Sequence, residues 1–221
     1  MSEIPKFDDP VILIGGADVD MSLLNRLSHL PIVAADGGAN HLRNTNLLPE
    51  MIIGDVDSLQ DYEYWQSVTH VKKIAEQDTT DLEKCLYSTD APLYIALGFI
   101  GGRLDHTLAT LHTVQKYHPR KSVILAGSED LILICSASVK LSVTTDTRVS
   151  VYPLLQTVFT SSHGLQYPLD GLKMMQGELI GTSNKSSEDN IEIQAERGVF
   201  ALILPMKCLP SVLAEYQVSA I

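Results

Sequence analysis

The sequence predicts an α/β protein of two domains: an N-terminal domain with a parallel, Rossmann-like sheet, then an all-β sandwich domain of jelly-roll-like type. In residues 1–127, continuous apolar runs alternate with helical patterns, which is typical of a parallel sheet covered by helices. In residues 128–221 the runs are short, rich in Val, Ile, Thr and Ser, and interrupted by Gly and Pro. We place the domain boundary near Gly127.

Apolar runs mark the strands of the first domain, and several of them end at Gly or Asp. Short runs of this kind, bounded by turn residues, predict buried strands. The runs are Val11–Ile14, Ile32–Ala35, Met51–Ile53, a weaker Val71–Ile74, Leu93–Leu97 and Ser122–Ala126.

Helices are expected between these strands. Asp20 can cap the first helix, and Thr80 with Glu83 three residues later forms a capping box. Residues 106–117 predict a longer helix with Leu108, Leu111 and Val114 on its apolar face.

Short, partly alternating apolar runs mark the expected strands of the second domain. Alternation of apolar and polar residues predicts strands with one buried face. The clearest runs are Leu131–Ile134, Val139–Val143, Val149–Tyr152, Ile191–Ile193 and Val199–Leu204.

Composition excludes several classes of function. The 221 residues are 45% hydrophobic and 19% charged, and the net charge of −11 disfavours binding to duplex nucleic acid. No run approaches the roughly 20 apolar residues of a membrane span, and the N-terminus lacks the pattern of a signal peptide. Three widely spaced cysteines form no metal or redox motif. We therefore expect a cytoplasmic protein without nucleic-acid or membrane partners.

Aspartates follow the expected strands at the sheet edge where α/β proteins bind ligands. Asp55 and Asp57 are two residues apart, so on an extended segment they point to the same side. With Asp78 they form a candidate Mg²⁺ site, because Mg²⁺ binds hard oxygen ligands and substrate phosphates. Local turn hydrogen bonds are the alternative for Asp55 and Asp57. Capping explains Asp81 well and Asp78 less well.

Glycine-rich turns follow the first two strands. Glycine lets backbone N–H groups approach a phosphate, and a following helix adds positive potential. Packing alone is the alternative explanation, and neither turn matches the P-loop or the dinucleotide fingerprint. The candidate nucleotide-binding residues are Gly15, Gly16, Asp36, Gly37, Gly38 and Asn40.

A third loop, Gly101–His106, combines flexible backbone with charge. Arg103 can stabilise negative charge on a transferring phosphate. Asp105 can act in the site, or it can be the N-cap of the helix that follows.

The ordered set of motifs resembles the thiamine pyrophosphokinase family. The first domain supplies five motifs and the second supplies two, and together they extend over nearly the whole chain. They are Gly15–Asp18, Ala35–Asn40, Gly54–Ser58, Asp78–Lys84, Gly98–His106, Gly164–Leu169 and Gly181–Asn184.

The resemblance implies transfer of the terminal diphosphate of ATP to the hydroxyl of thiamine, giving AMP and thiamine diphosphate. It implies Mg²⁺, ATP as co-substrate, and a homodimer with thiamine bound at the subunit interface. Residues 1–127 would then bind ATP and carry catalysis, and residues 128–221 would bind thiamine.

The resemblance also assigns roles to single residues. Asp57, Asp81, Arg103 and Asp105 would be catalytic, and Asp78, Lys84 and Arg103 would contact ATP. Either Asp81 or Asp105 could orient the thiamine hydroxyl or accept its proton. On the thiamine side the matching residues are Ser183, Asn184 and Phe200, the last standing where some members have tryptophan; core packing is the alternative role for Phe200.

Two other functions fit the same aspartates. A Mg²⁺-dependent hydrolase would cleave a nucleotide or a thiamine phosphate with water as the acceptor. A sensor would bind a nucleotide or thiamine without turnover.

Overall fold

The computed structural model describes residues 4–218, and the chain divides into two compact units. Unit 1 extends to Ser128, and unit 2 begins at Glu129. This division lies one residue beyond the boundary that the sequence predicts.

Unit 1 is built on parallel strands that confirm the predicted α/β class. The sheet order is β6-β5-β1-β2-β3-β4, and every pairing between these strands is parallel. Every residue of these strands is buried except those of β4, which explains their unbroken apolar sequences. The strands are β1 Val11–Ile14, β2 Ile32–Ala35, β3 Met51–Gly54, β4 His70–Lys73, β5 Tyr94–Leu97 and β6 Val123–Ala126.

The helices of unit 1 begin near the predicted caps. Asp20 Oδ1 accepts hydrogen bonds from the backbone N–H groups of Ser22 and Leu23, at 2.9 and 3.1 Å. Thr80 Oγ1 accepts from the N–H of Glu83 at 3.2 Å. The helices are α1 Met21–Arg26, α2 Tyr62–Val68, α3 Asp81–Ser88 and α4 Leu104–Tyr117, and a 3₁₀ turn covers Asp36–Leu42.

Only half of the predicted capping box forms. The Glu83 carboxylate is buried and accepts from Lys116 Nζ at 2.5 Å and Tyr117 Oη at 3.3 Å. A buried carboxylate needs a charged or donor partner, and α4 supplies both. Glu83 therefore ties α3 to α4 instead of returning to the start of its own helix.

The buried face of α4 agrees only in part with the prediction. Val114 is buried as predicted, together with Thr110 and Thr113, whereas Leu108 is 58% exposed. Thr110 Oγ1 donates to the carbonyl of Phe99 at 3.1 Å. Threonine can pack in the helix interface because its hydroxyl finds a backbone partner there.

Unit 2 contains two antiparallel sheets, with strand orders β12-β9-β14-β7 and β11-β10-β13-β8. Phe159 and Phe200, one from each sheet, pack edge to face with ring centroids 5.2 Å apart. The elements are β7 Asp130–Cys135, β8 Ser138–Ser142, β9 Arg148–Pro153, β10 Thr157–His163, β11 Lys173–Met174, β12 Gly181–Lys185, β13 Asn190–Arg197, β14 Phe200–Pro205 and α5 Leu209–Glu215.

Over the described range 4–218, no helix combines the length and the apolar character needed to cross a membrane.

Candidate active site

Asp36 occupies a tightly packed position directly after β2. Its φ of +46° lies in the left-handed region, which a non-glycine residue rarely adopts. A Cβ on Gly54 would come within 2.6 Å of the Asp36 Cβ, so glycine at the end of β3 allows the two strand ends to approach. Asp36 is 3% exposed, and burial, followed by the charge of Asp81, raises the pKa of its carboxyl.

Three carboxylates form one group beyond β2 and β3. Asp36, Asp55 and Asp57 each offer an oxygen, and these oxygens lie within 4.8 Å of one another. Asp36 Oδ2 accepts from the N–H of Ser58 at 3.2 Å, while its buried Oδ1 finds no hydrogen-bond donor among residues 4–218. A buried carboxylate oxygen without a donor, beside two other carboxylates, fits a hard divalent cation. We call these residues the carboxylate group.

The metal set predicted from sequence shares two members with this group. Asp55 and Asp57 belong to both, Asp36 joins them in the structure, and Asp78 is not a member. Asp78 is exposed, and its backbone N–H donates to Glu76 Oε2 at 2.7 Å.

Asp55 has the most partners of the three. Gln77 Nε2 donates to its Oδ2 at 2.6 Å, and its Oδ1 accepts from the N–H of Asp57 at 3.2 Å. The hydrogen bond from Gln77 is the main reason why the pKa of Asp55 is lowered, and Lys84 contributes. Asp55 is therefore held ionised, which suits a metal ligand.

Lys84 lies buried between two carboxylates. Its side chain is 2% exposed, and its Nζ lies 3.1 Å from Asp81 Oδ1 and 3.7 Å from Asp55 Oδ2. Burial opposes its charge, but the hydrogen bond and charge of Asp81, aided by Asp55, raise the pKa of Lys84 overall. Asp81 differs from Asp55, because burial outweighs Lys84 and raises the pKa of Asp81.

Glu76 lies next to Gln77 in the chain, and no motif in the sequence predicts a role for it. Its carboxylate accepts from the backbone N–H groups of Asp78 and Thr79, from the hydroxyl of Thr79 and from that of Tyr87. These bonds, that from the Thr79 hydroxyl first, lower the pKa of Glu76 to about 2. A signal for this role existed, because Glu76 directly precedes the Gln77–Asp81 motif.

The glycine-rich turns separate into packed and open positions. A Cβ on Gly38 would lie 2.1 Å from the carbonyl oxygen of Ile14, and one on Gly15 would lie 2.5 Å from that of Gly98. Packing therefore requires both glycines. A Cβ on Gly16 would meet no described atom within 4 Å, so that position is open to a ligand. On Gly37 it would be 3.0 Å from the Ser58 Cβ.

Asn40 links two loops of the site. Its Nδ2 donates to the carbonyl of Ser58 at 2.9 Å, and its Oδ1 accepts from the N–H of Gln60 at 2.9 Å. These bonds tie the 3₁₀ turn after β2 to the loop after β3, which carries Asp55 and Asp57.

Arg103 and Asp105 form an exposed pair at the start of α4. The side chains are 72% and 65% exposed, and Arg103 Nη2 donates to Asp105 Oδ2 at 2.6 Å. This bond lowers the pKa of Asp105 and raises that of Arg103. Arg103 is itself the N-cap position, and Asp105 stands in the first turn.

In unit 2, Asn184 is committed to backbone groups. Its Oδ1 accepts from the N–H groups of Tyr167 and Lys185, at 3.1 and 2.8 Å, and its Nδ2 donates to the carbonyl of Tyr167 at 2.7 Å. Asn184 is 4% exposed, while Tyr167 is 60% exposed. Ser183 is exposed and has a φ of +61°.

Phe200 is completely buried, and its ring packs against Phe159. This is the core-packing arrangement that the sequence left as the alternative to thiamine contact.

A parallel α/β unit with carboxylates and open glycine positions beyond its strands is typical of an enzyme that acts on phosphorylated substrates. Comparison with known proteins makes this class specific. The thiamin pyrophosphokinase catalytic domain matches residues 25–125, and the vitamin B1 binding domain of the same enzyme matches residues 138–200.

Curated relatives and solved structures agree with these matches. Thiamine pyrophosphokinase 1 of Arabidopsis thaliana is 26% identical over 198 residues, and thiamin pyrophosphokinase 1 of Caenorhabditis elegans is 29% identical over 182 residues; each match covers 74% of both chains. Thiamin pyrophosphokinase from Candida albicans superposes with a TM-score of 0.78 at 18% identity, covering 90% of this chain and 89% of its own. The yeast enzyme gives 0.77 at 19% identity, with 91% of each chain covered.

The chain belongs to the thiamine pyrophosphokinase family. Its activity is that of the family, ATP-dependent transfer of a diphosphate group to thiamine. The family resemblance recognised from the sequence is thereby confirmed.

Proposed function

We propose that Asp36, Asp55 and Asp57, the carboxylate group of unit 1, would hold the Mg²⁺ that this transfer uses, and that unit 2 binds thiamine. The observation that carries the proposal is the buried Oδ1 of Asp36, which lies beside Asp55 and Asp57 and receives no hydrogen bond from residues 4–218. When bound, Mg²⁺ would supply positive charge to the phosphate oxygens. The products are AMP and thiamine diphosphate.

Positioning and charge then account for the role of the protein, because phosphoryl-type transfer needs little covalent work from it. Gln77 holds one oxygen of Asp55 at 2.6 Å and so fixes the orientation of that carboxylate. Lys84 is too buried to reach far toward ATP, and we assign it to balancing the charge of Asp55 and Asp81.

Of the two carboxylates considered as proton acceptors, we favour Asp81. Burial raises the pKa of Asp81, which makes it the better acceptor for the proton of the thiamine hydroxyl. Asp105 is paired with Arg103, which lowers its pKa and weakens it as a base. We assign Asp105 to orienting Arg103, whose exposed guanidinium would meet the phosphates together with the open backbone at Gly16.

On the thiamine side, Ser183 is the exposed member of the predicted residues and is proposed to contact the substrate. Asn184 would act through the backbone of Tyr167, and Phe200 through the packing of the core beneath the site. The matched vitamin B1 binding domain includes Ser183 and Asn184 and ends at Phe200.

We retain the homodimer, with thiamine at its interface, as part of the proposal. This proposal is supported by exposed apolar side chains in unit 2, which a second copy of the chain would cover. They include Leu155, Tyr167, Leu179 and Ile180. A cytoplasmic location suits the three cysteines, which are free, with Cys85 and Cys208 buried.

The proposal is tested by incubating the purified protein with ATP, Mg²⁺ and thiamine and measuring AMP and thiamine diphosphate together. We expect equal amounts of both products, and neither without thiamine or Mg²⁺. AMP or ADP without thiamine diphosphate would indicate a hydrolase. Binding of both substrates without either product would indicate a sensor.

A further inference from the structure

The segment between β4 and α3, residues 74–80, brings Gln77 to Asp55 and contains no helix or strand. A segment of this kind keeps one shape only if other hydrogen bonds replace those of regular structure. Glu76 provides them.

The Glu76 carboxylate receives two donors on each oxygen. Oε2 accepts from the N–H of Asp78 at 2.7 Å and from that of Thr79 at 3.0 Å. Oε1 accepts from the Thr79 hydroxyl and from Tyr87 Oη at 3.0 Å, which joins the segment to α3. A carboxylate has about four lone-pair positions, so that of Glu76 is filled and cannot serve as a metal ligand or a base in this state.

Gln77 follows directly and donates to Asp55 Oδ2 at 2.6 Å. Its side chain can hold Asp55 only while the backbone on either side of it keeps its course. Glu76 precedes Gln77 in the chain, and its carboxylate accepts hydrogen bonds from the backbone N–H groups of Asp78 and Thr79, which follow Gln77. The Glu76 carboxylate therefore holds the backbone on both sides of Gln77.

We propose that Glu76 is a positioning residue for diphosphate transfer: its carboxylate folds residues 76–79 into a closed turn, anchors that turn to α3 through Tyr87, and thereby places Gln77 on Asp55. The inference rests on the proposed function of the carboxylate group. It predicts that Glu76 controls the rate of transfer and leaves thiamine binding unchanged, because thiamine is assigned to unit 2.

The test uses Glu76→Gln in the full chain, with Glu63→Gln, an exposed position on α2, as the matched control. Losing hydrogen bonds to a charged acceptor predicts a fall in kcat of about 10- to 100-fold, with the KM for thiamine within about 2-fold of the wild type. Hydrogen–deuterium exchange should become faster in residues 77–80 of Glu76→Gln and stay unchanged in Glu63→Gln. A wild-type kcat, or unchanged exchange in this segment, would overturn the proposal.

A double-mutant cycle tests whether Glu76 acts through Gln77. If it does, Glu76→Gln combined with Gln77→Ala lowers kcat by clearly less than the product of the two single effects. Effects that multiply would overturn the proposed route. If Glu76→Gln fails to fold, Tyr87→Phe replaces it, with an expected fall in kcat of about 3-fold and faster exchange in the same segment; wild-type values for both would overturn the proposal.

The exchange measurement separates this inference from the proposed function. Wild-type protein that forms no thiamine diphosphate would defeat the proposed function, while faster exchange in Glu76→Gln would still support the role of Glu76 in the turn.

Discussion

Unit 1 and unit 2 both carry motifs of this family, but they differ in whether the motif side chains have polar atoms free to bind a ligand. In unit 1, Asp36 keeps a buried oxygen to which no residue in the described part of the chain donates, and Asp57 is exposed. In unit 2, the Asn184 amide is committed to the backbone of its neighbours and Phe200 is buried. A motif thus marks where a site lies, whereas burial and hydrogen bonding decide whether a residue can touch a ligand or holds another residue in place.

The largest expected effect concerns unit 1, whose carboxylates are free to bind a ligand. Asp57→Asn removes one charge from the carboxylate group, so turnover should fall by at least about 100-fold, with at best partial recovery at high Mg²⁺. Steady-state assays of thiamine diphosphate formation measure this, with Asp8→Asn at an exposed site as the control. Full activity of Asp57→Asn would remove Asp57 from the metal site.

Lys84 tests whether burial alone identifies a supporting residue. Lys84→Met removes the buried ammonium between Asp81 and Asp55, which leaves their charges unbalanced and should lower the free energy of unfolding by about 2 kcal/mol. Urea unfolding at pH 7 measures the loss, and Lys140→Met at an exposed position of β8 is the control. A variant as stable as the wild type, with only its KM for ATP raised, would favour the direct ATP contact predicted from sequence.

Asn184 tests the opposite case in unit 2, because its side-chain amide is already hydrogen-bonded to backbone groups. In Asn184→Ala the N–H and carbonyl of Tyr167 lose their partner, so the KM for thiamine should rise by about 10-fold while the KM for ATP changes little. Asn44→Ala at an exposed position is the control. A normal KM for thiamine in Asn184→Ala would show that the Tyr167 backbone needs no such anchor.

The smallest effect concerns pH. The pKa of Glu76 is lowered from 4.5 to about 2, so the folded state binds fewer protons than the unfolded state between these values, and the stability from Glu76 is lost as pH falls through this range. The stability difference between wild type and Glu76→Gln should therefore be full above pH 4.5 and shrink toward pH 2. Denaturant unfolding at pH 7 and pH 3 checks this. A difference independent of pH would contradict it.

The sequence predicted the strands of unit 1 well, since continuous apolar runs ending in Gly or Asp leave few alternatives. The sequence was a poorer guide to hydrogen bonds where one side chain could bind either of two partners. Glu83 fits a capping box by spacing, yet its carboxylate binds Lys116, because a long-range charged partner outcompetes a local N–H.

The candidate site shows the same limit. Sequence placed Asp55 and Asp57 together because they are two residues apart, but the approach of Asp36 depends on the close packing of Gly54 against it, which spacing along the chain does not encode. The four hydrogen bonds of the Glu76 carboxylate likewise depend on the backbone path of residues 77–79 and on the position of Tyr87 in α3. Spacing along the chain predicts neither of these.

The most direct measurement of the central claim is a calorimetric titration of Mg²⁺ into the wild type, Asp36→Asn and Asp78→Asn, with circular dichroism to verify folding. The carboxylate group of Asp36, Asp55 and Asp57 predicts that Asp36→Asn weakens Mg²⁺ binding by about 10-fold or more, while Asp78→Asn stays within about 2-fold of the wild type. The reverse result, with Asp78→Asn impaired and Asp36→Asn normal, would contradict the account and favour the metal set predicted from sequence.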